Sequence, residues 1–263
     1  MARINGEPAR SAADKLLSVI EALVEHERLN DIAATAALPK STVHRILSEL
    51  VERDFARTDG GGAYLPGPRM LALGANVLGS YDHARGAQSV LRELQQRTGH
   101  TVHYAIRSGD EAVYVDKVEG GRRPYQMASR IGGRLVLHCT SIGKAILAHL
   151  PPDDVRAIVE ASGMERHTPR TIVTLPALLE DLERIRTRGF SLDDEENEED
   201  VRCVGAPVFG HLDRVIGGIS VSALAFEFDR DAAERIGPLV VEAAARVSEG
   251  LGARAPARAL SSP

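Results

Sequence analysis

Ser220 and Ser222 alternate with Ile219 and Val221, so on a strand both hydroxyls face the same side. Upstream, Thr140 or Ser141 stands where it caps a helix that begins near Gly143. A helix N-terminus carries N–H groups without intrahelical partners and a partial positive charge, which suits a carboxylate. Two hydroxyls beside such an N-terminus make a small polar pocket for an organic acid. On spacing alone, the same two serines equally suit a sheet face packed under a helix, with each hydroxyl satisfied locally. Arg130 and Arg134, before His138, are either basic partners for an anion or solvated loop charges.

A second polar group lies near the start of the chain. Val43, Ile46, Leu47, Leu50 and Val51 recur at helical spacing, and Lys40, Ser41, Thr42, His44 and Arg45 fall off that stripe or at its edge. Short polar and basic groups in the first turns of an exposed helix are what a helix needs to meet base edges and phosphates in a major groove.

Other chemistry finds weaker support. The acidic run Asp193 to Asp200 lacks the glycine and the alternation of a calcium loop, and beyond Asp193 it reads as a solvated loop. Cys203 with His138 supplies the residue types of a thiol hydrolase, but Cys203 lies in an apolar strand, where a free cysteine behaves as a small hydrophobe, and His138 reads as a core histidine. No paired Cys/His spacing announces zinc. The expectation is therefore no catalytic residue, no metal and no cofactor.

The elements that position these groups follow from periodicity. Ser11 to Glu27 reads as a first helix, capped by Ser11, with a stripe of Leu16, Leu17, Ile20, Leu23 and Val24. A second runs from about Asp31 to Ala37 with Asn30 as its N-cap and Ile32, Ala33, Ala34 and Ala36 on its packed face. The third is Ser41 to Arg53. Two short strands, Phe55–Thr58 and Ala63–Leu65, flank Asp59-Gly60-Gly61-Gly62, a strong turn signal. Three helices and a glycine-tipped hairpin make a winged helix-turn-helix pattern. Arg69 to Ser80 reads as a linking helix, with Met70, Leu71, Leu73, Val77 and Leu78 available for burial, followed by a helix from Ala84 to Thr98.

The remainder mixes strands and helices. Thr101–Arg107 and Ala112–Val118 form a hairpin, and Tyr125–Ser129 is a further strand candidate. Helices are read at Thr140–His149, Pro152–Ala161, Leu175–Arg188 and Asp231–Leu251, and Cys203–Phe209 pairs with Val215–Ala223. Hairpin-joined strands with interspersed helices point to an α+β sheet domain rather than a doubly wound one.

Bulk properties bound the rest. The 263 residues fit one large or two unequal domains, and 43% hydrophobic content supports packed cores. No apolar run is long enough to span a bilayer, the first residues hold no signal-peptide h-region, and two distant cysteines fit a reducing, cytoplasmic setting. The net charge is −5, and residues 1–66 hold 8 Lys/Arg against 10 Asp/Glu. DNA binding therefore rests on local pattern, not on bulk charge.

The local pattern is extensive. Asp31-Ile32-Ala33, then Leu38-Pro39-Lys40-Ser41-Thr42-Val43-His44-Arg45-Ile46-Leu47, resembles the DNA-binding domain of the IclR (isocitrate lyase regulator) family. So do Tyr64-Leu65-Pro66-Gly67, Ser141-Ile142-Gly143-Lys144-Ala145-Ile146-Leu147-Ala148 after His138, and Gly189-Phe190-Ser191-Leu192-Asp193-Asp194-Glu195-Glu196 with Cys203 and Ala206-Pro207-Val208. The resemblance spans nearly the whole chain. It implies a transcription regulator, repressor or activator, that binds a palindromic double-stranded operator as a homodimer or dimer of dimers, with a GAF-like α/β effector-binding domain.

By that resemblance, the effector-binding positions of the family's glyoxylate- and pyruvate-responsive member fall on Ser141, Ile142, Asp193, Cys203, Ser220 and Ser222. Four keep that member's residue type. Ser141 and Ile142 replace its Gly and Ala, Asp200 replaces a glycine common in its loop, and Val136 and Leu137 supply no proline before His138. A small oxygen-rich acid carrying a hydroxyl is the expected ligand, because Asp193 repels a second carboxylate unless it accepts a hydroxyl or has a raised pKa.

The expected domains are residues 1–68, a linker helix 69–83, an effector domain 84–252 and a frayed tail 253–263. The competing function is a small-molecule-binding or hydrolytic protein whose helical N-terminus serves protein contacts.

Overall fold

The computed structural model describes residues 10–80, 83–121 and 129–253. The chain divides into two units after Ser80.

In the first unit, α1 (Ala12–Glu25) starts where the Ser11 hydroxyl accepts the Asp14 N–H at 3.0 Å. It is followed by α2 (Leu29–Thr35) and α3 (Lys40–Glu52). Val19, Ala22 and Leu23 of α1 pack with Ile32, Ala33 and Ala36 and with Val43, Ile46, Leu47 and Leu50 of α3. This differs from the expected stripe. Leu16, Leu17 and Val24 are exposed, because the buried face of α1 is turned toward Val19 and Ala22. Likewise Ala34 is exposed, and α2 begins at Leu29 with Arg28 at its cap position, not at Asn30. The turn between α2 and α3 is closed by Ala37, which adopts a left-handed φ of 50°.

Strands β1 (Ala56–Thr58) and β2 (Tyr64–Pro66) pair antiparallel as the wing. Asp59 Oδ1 accepts the N–H groups of Gly61 and Ala63 at 2.7 and 3.0 Å, which ties the tip. These two bonds hold the Asp59 carboxyl below its usual range. Helix α4 (Pro68–Ser80) follows, and its Leu71 and Leu73 are exposed. The side chains of Val77 and Leu78 lie outside the described residues.

The second unit is built on a six-stranded antiparallel sheet ordered β5-β4-β3-β8-β7-β6. The strands are β3 (Thr101–Ser108), β4 (Glu111–Val118), β5 (Arg134–Val136), β6 (Ser191–Asp194), β7 (Val201–Phe209) and β8 (Val215–Leu224). The helices are α5 (His83–Thr98), α6 (Ser141–Leu147), α7 (Pro152–Ser162), α8 (Leu175–Arg188) and α9 (Arg230–Gly250). The strand read at Tyr125–Ser129 lies outside the described residues apart from Ser129, which is not in a strand. Strands β5 and β6 were not expected.

Strand alternation sorts the two faces of the sheet. Val102, Tyr104, Val204, Ala206, Val208, Ile219 and Val221 form one core with α5 and α9. Ala105 and Val215 belong to a second core with Ile142, Ile146 and Leu147 of α6 and with residues of α7 and α8. The intervening residues of β3, β7 and β8, including His103, Cys203, Ser220 and Ser222, therefore face the α6 side.

Two glycines allow α6 to lie that close. A Cβ on Gly205 would meet the Ser141 backbone at 2.8 Å, and one on Gly143 would meet Leu137 Cα at 2.4 Å. Neither backbone can give way, so only glycine fits.

Candidate functional site

In the first unit, Lys40, Ser41, His44 and Arg45 are exposed and Thr42 is half-buried. They share the outer side of α3, away from the core formed by Val43, Ile46, Leu47 and Leu50. The Arg45 guanidinium bonds Glu49 at 2.7 Å one turn away, with both side chains largely exposed. Such pairs stabilise by only about 0.3–0.5 kcal/mol, so Arg45 is readily released to a stronger acceptor. Among the described residues, no helix is long and apolar enough to cross a membrane.

In the second unit, Ser141, Ile142, Asp193, Cys203, Ser220 and Ser222 line one cavity of about 330 Å³. Strand register brings them together. Asp193 pairs with Cys203 and Cys203 with Ser222, making one row across β6, β7 and β8. In the next row Gly205 pairs with Ser220, and Ser220 with His103. Helix α6 covers these rows from above Gly205. It runs from Ser141 to Leu147, within the expected Thr140–His149, and of the two expected caps it is the Thr140 hydroxyl that accepts the Gly143 N–H, at 3.1 Å. The first-turn N–H groups of Ser141 and Ile142 therefore have no intrahelical partner.

Asp193 is buried, and its Oδ1 accepts the N–H groups of Glu196 and Asn197 at 2.8 and 3.3 Å. Burial, reinforced by the Glu196 charge, raises its pKa to about 7 despite those bonds. Burial also pushes the Cys203 thiol well up, with the Asp193 charge acting in the same sense. This cysteine presents a neutral thiol to the cavity.

The geometry adds residues that sequence reading missed. His103, Tyr114, Asn197 and His167 also line the cavity. His103 Nε2 lies 2.7 Å from the Ser129 hydroxyl, and its Nδ1 lies 3.4 Å from that of Ser222. Burial, with the nearby Lys117 charge, lowers its pKa to about 3, so this imidazole is neutral. The signal was present: Thr101 and His103 alternate with Val102 and Tyr104 on β3, as the serines do on β8. Burial likewise pushes the Tyr114 phenol up and keeps it protonated.

Two expectations are corrected. The acidic run beyond Asp193 is exposed only at Glu199 and Asp200, not along its whole length. Glu196 is buried and bonds Lys144, which also bonds Asp181 at 2.9 Å. Burial opposes the Lys144 charge, but the two carboxylates outweigh it and hold the ammonium above its ordinary pKa. Asp194 bonds Arg202 at 2.7 Å and Arg230 at 2.6 Å. Arg134 is on β5 rather than a loop; it lines the cavity and bonds Glu111 at 3.0 Å.

The hydrolase arrangement does not form. His138 Nε2 bonds the Glu165 carbonyl at 3.0 Å, while Cys203 has the hydroxyls of Ser222 and Ser141 as partners.

Comparisons with known proteins agree on one relationship. Residues 12–60 match the IclR helix-turn-helix domain, and residues 75–249 match the bacterial transcriptional regulator IclR C-terminal domain. The chain is 35% identical over 226 residues to the HTH-type transcriptional regulator XynR of Escherichia coli, covering 84% of this chain and 89% of that protein. It is 32% identical over 245 residues to KdgR of the same organism, covering 92% and 93%. The crystal structure of Thermotoga maritima IclR superposes with a TM-score of 0.77 at 31% identity, over 92% of this chain and 98% of that one.

Proposed function

The chain belongs to the IclR family of bacterial transcriptional regulators, and from that membership we propose that a small hydroxy acid held in the cavity of its second unit sets its affinity for an operator. Residues 1–68 read the DNA, residues 69–83 link, and residues 84–252 bind the effector. Lys40, Ser41, Thr42, His44 and Arg45 meet the major groove, with Arg45 exchanging Glu49 for a base edge or phosphate.

The observation that carries the effector reading is the convergence of Ser141, Ile142, Asp193, Cys203, Ser220 and Ser222 on one cavity. The carboxylate of the ligand lies against the first-turn N–H groups of α6 and the Ser141 hydroxyl. Its hydroxyl lies near Asp193 and the serines of β8. The raised pKa of Asp193 removes the conflict between two carboxylates, because the protonated side chain donates rather than repels.

A palindromic operator needs two reading helices, so the active form is a homodimer or a dimer of dimers. Exposed Leu71 and Leu73 of α4 supply an apolar surface for the partner copy. The setting is the cytoplasm, where the operator is. Calorimetry of the full chain against a panel of hydroxy, keto and amino acids, followed by operator titration with each binder, tests the proposal. Binding of a hydroxy acid that leaves operator affinity untouched would separate the cavity from regulation.

A further inference from the structure

His138 and Cys139 are adjacent in sequence, in the turn after β5, and His167 lies 28 residues later in the loop after α7. The fold brings one ring nitrogen of each histidine and the Cys139 sulfur within 4.8 Å of one another. We propose that these three side chains bind a divalent transition-metal ion of the zinc class at the edge of the cavity.

The donor set suits such an ion: two imidazoles and one thiolate are borderline-soft ligands, and three protein ligands leave one tetrahedral position open. A tetrahedral zinc ion with Zn–N near 2.0 Å and Zn–S near 2.3 Å spaces its ligands about 3.5 Å apart. The three donors, all within 4.8 Å of one another, stand close to that spacing.

Two further observations support the site. His138 Nε2 lies 3.0 Å from the Glu165 carbonyl. A carbonyl only accepts, so Nε2 carries the proton and Nδ1 keeps its lone pair. A hydrogen bond of this kind orients a histidine that binds a metal through its other nitrogen.

The His167 backbone is held as well. Its N–H donates to the Thr171 hydroxyl at 3.1 Å, and that hydroxyl donates to the Glu196 carbonyl at 2.6 Å. The loop carrying His167 is thereby tied to the turn after β6.

His167 lines the effector cavity. The open coordination position therefore faces ligand space, where a carboxylate oxygen of a bound acid completes the shell. Only this last step rests on the effector reading.

Cobalt(II) alone is the probe, titrated into the untagged full chain after treatment with a chelator and desalting. A thiolate-to-cobalt charge-transfer band should grow to one equivalent per chain and be displaced by zinc. Cys139→Ser should lose that band. His167→Ala, at an exposed position that disturbs folding little, should weaken cobalt binding at least tenfold. Cys203→Ser should keep the band. A wild-type chain without the band at saturating cobalt overturns the site, as does a band that survives Cys139→Ser or full-strength binding by His167→Ala. The titration uses neither organic acid nor DNA. Its failure leaves the effector reading intact, and an effector that binds without metal leaves the metal site intact.

Discussion

Asp193 on β6 stands directly opposite Cys203 on β7, so the buried carboxyl and the half-buried thiol form one wall of the cavity. Both are pushed by burial toward their neutral forms. The wall is thus polar but mostly uncharged below neutral pH, which lets an anion approach a site that contains an aspartate.

The first prediction concerns pH. The Asp193 pKa is about 7 in the folded chain against an ordinary 3.8. The folded state then binds the proton more tightly than the unfolded state between those values. Stability should fall as pH rises from about 4 to about 7 and remain at the lower level above. Asp193→Asn keeps an acceptor for the N–H groups of Glu196 and Asn197 and abolishes the titration. Denaturant unfolding should find it more stable than wild type at pH 8, by about 2–4 kcal/mol, with the gap closing toward pH 4. A gap independent of pH would assign the effect to something other than the carboxyl.

Ligand affinity should follow the same group. An acid bound beside Asp193 should bind more tightly at pH 6 than at pH 8, with proton uptake measured by calorimetry in buffers of different ionisation enthalpy. Equal affinity at both pH values would place the acid away from Asp193.

The reading helix makes a separate prediction. Arg45→Ala should weaken operator binding by about 1–3 kcal/mol and relax preference at one base pair. Glu49→Gln frees Arg45 and removes a negative charge from the DNA-facing side, so it should tighten binding modestly. Unchanged affinity in Arg45→Ala and in Thr42→Ala, alone and combined, would move the reading surface elsewhere.

Assembly is tested at α4. Leu71→Glu should shift the chain toward monomer in light scattering at micromolar concentration and weaken binding to a two-half-site operator more than to a single half-site. A variant that stays dimeric would place the interface on another surface.

How far the sequence revealed the molecule depended on whether a signal was local. Helix α8 has the bounds its periodicity implies, and the Ser220/Ser222 alternation on β8 identified the polar face of the sheet. What failed needed a distant partner. The stripe on α1 was misassigned because helical spacing alone does not say that Val19 and Ala22, rather than Leu16 and Leu17, meet α3. Strand β6 was missed because Ser191-Leu192-Asp193-Asp194 has one apolar residue and becomes a strand only by pairing with β7. Glu196 read as solvated because its partner Lys144 lies 52 residues away. The His138–Cys139–His167 grouping escaped for the same reason, since adjacent ligands and a distant third have no recognisable spacing.

Operator titration with and without the best-binding hydroxy acid, in wild type and in Ser220→Ala, measures whether the cavity controls the operator. The acid should change wild-type operator affinity by about 5–150-fold, and operator should change acid affinity by the same factor. Ser220→Ala should bind operator like wild type without the acid. It should need more acid for the same response, corresponding to about 0.5–1.5 kcal/mol for one lost hydrogen bond. An operator response to the acid at identical concentrations in wild type, Ser220→Ala and Asp193→Asn would contradict control through the cavity.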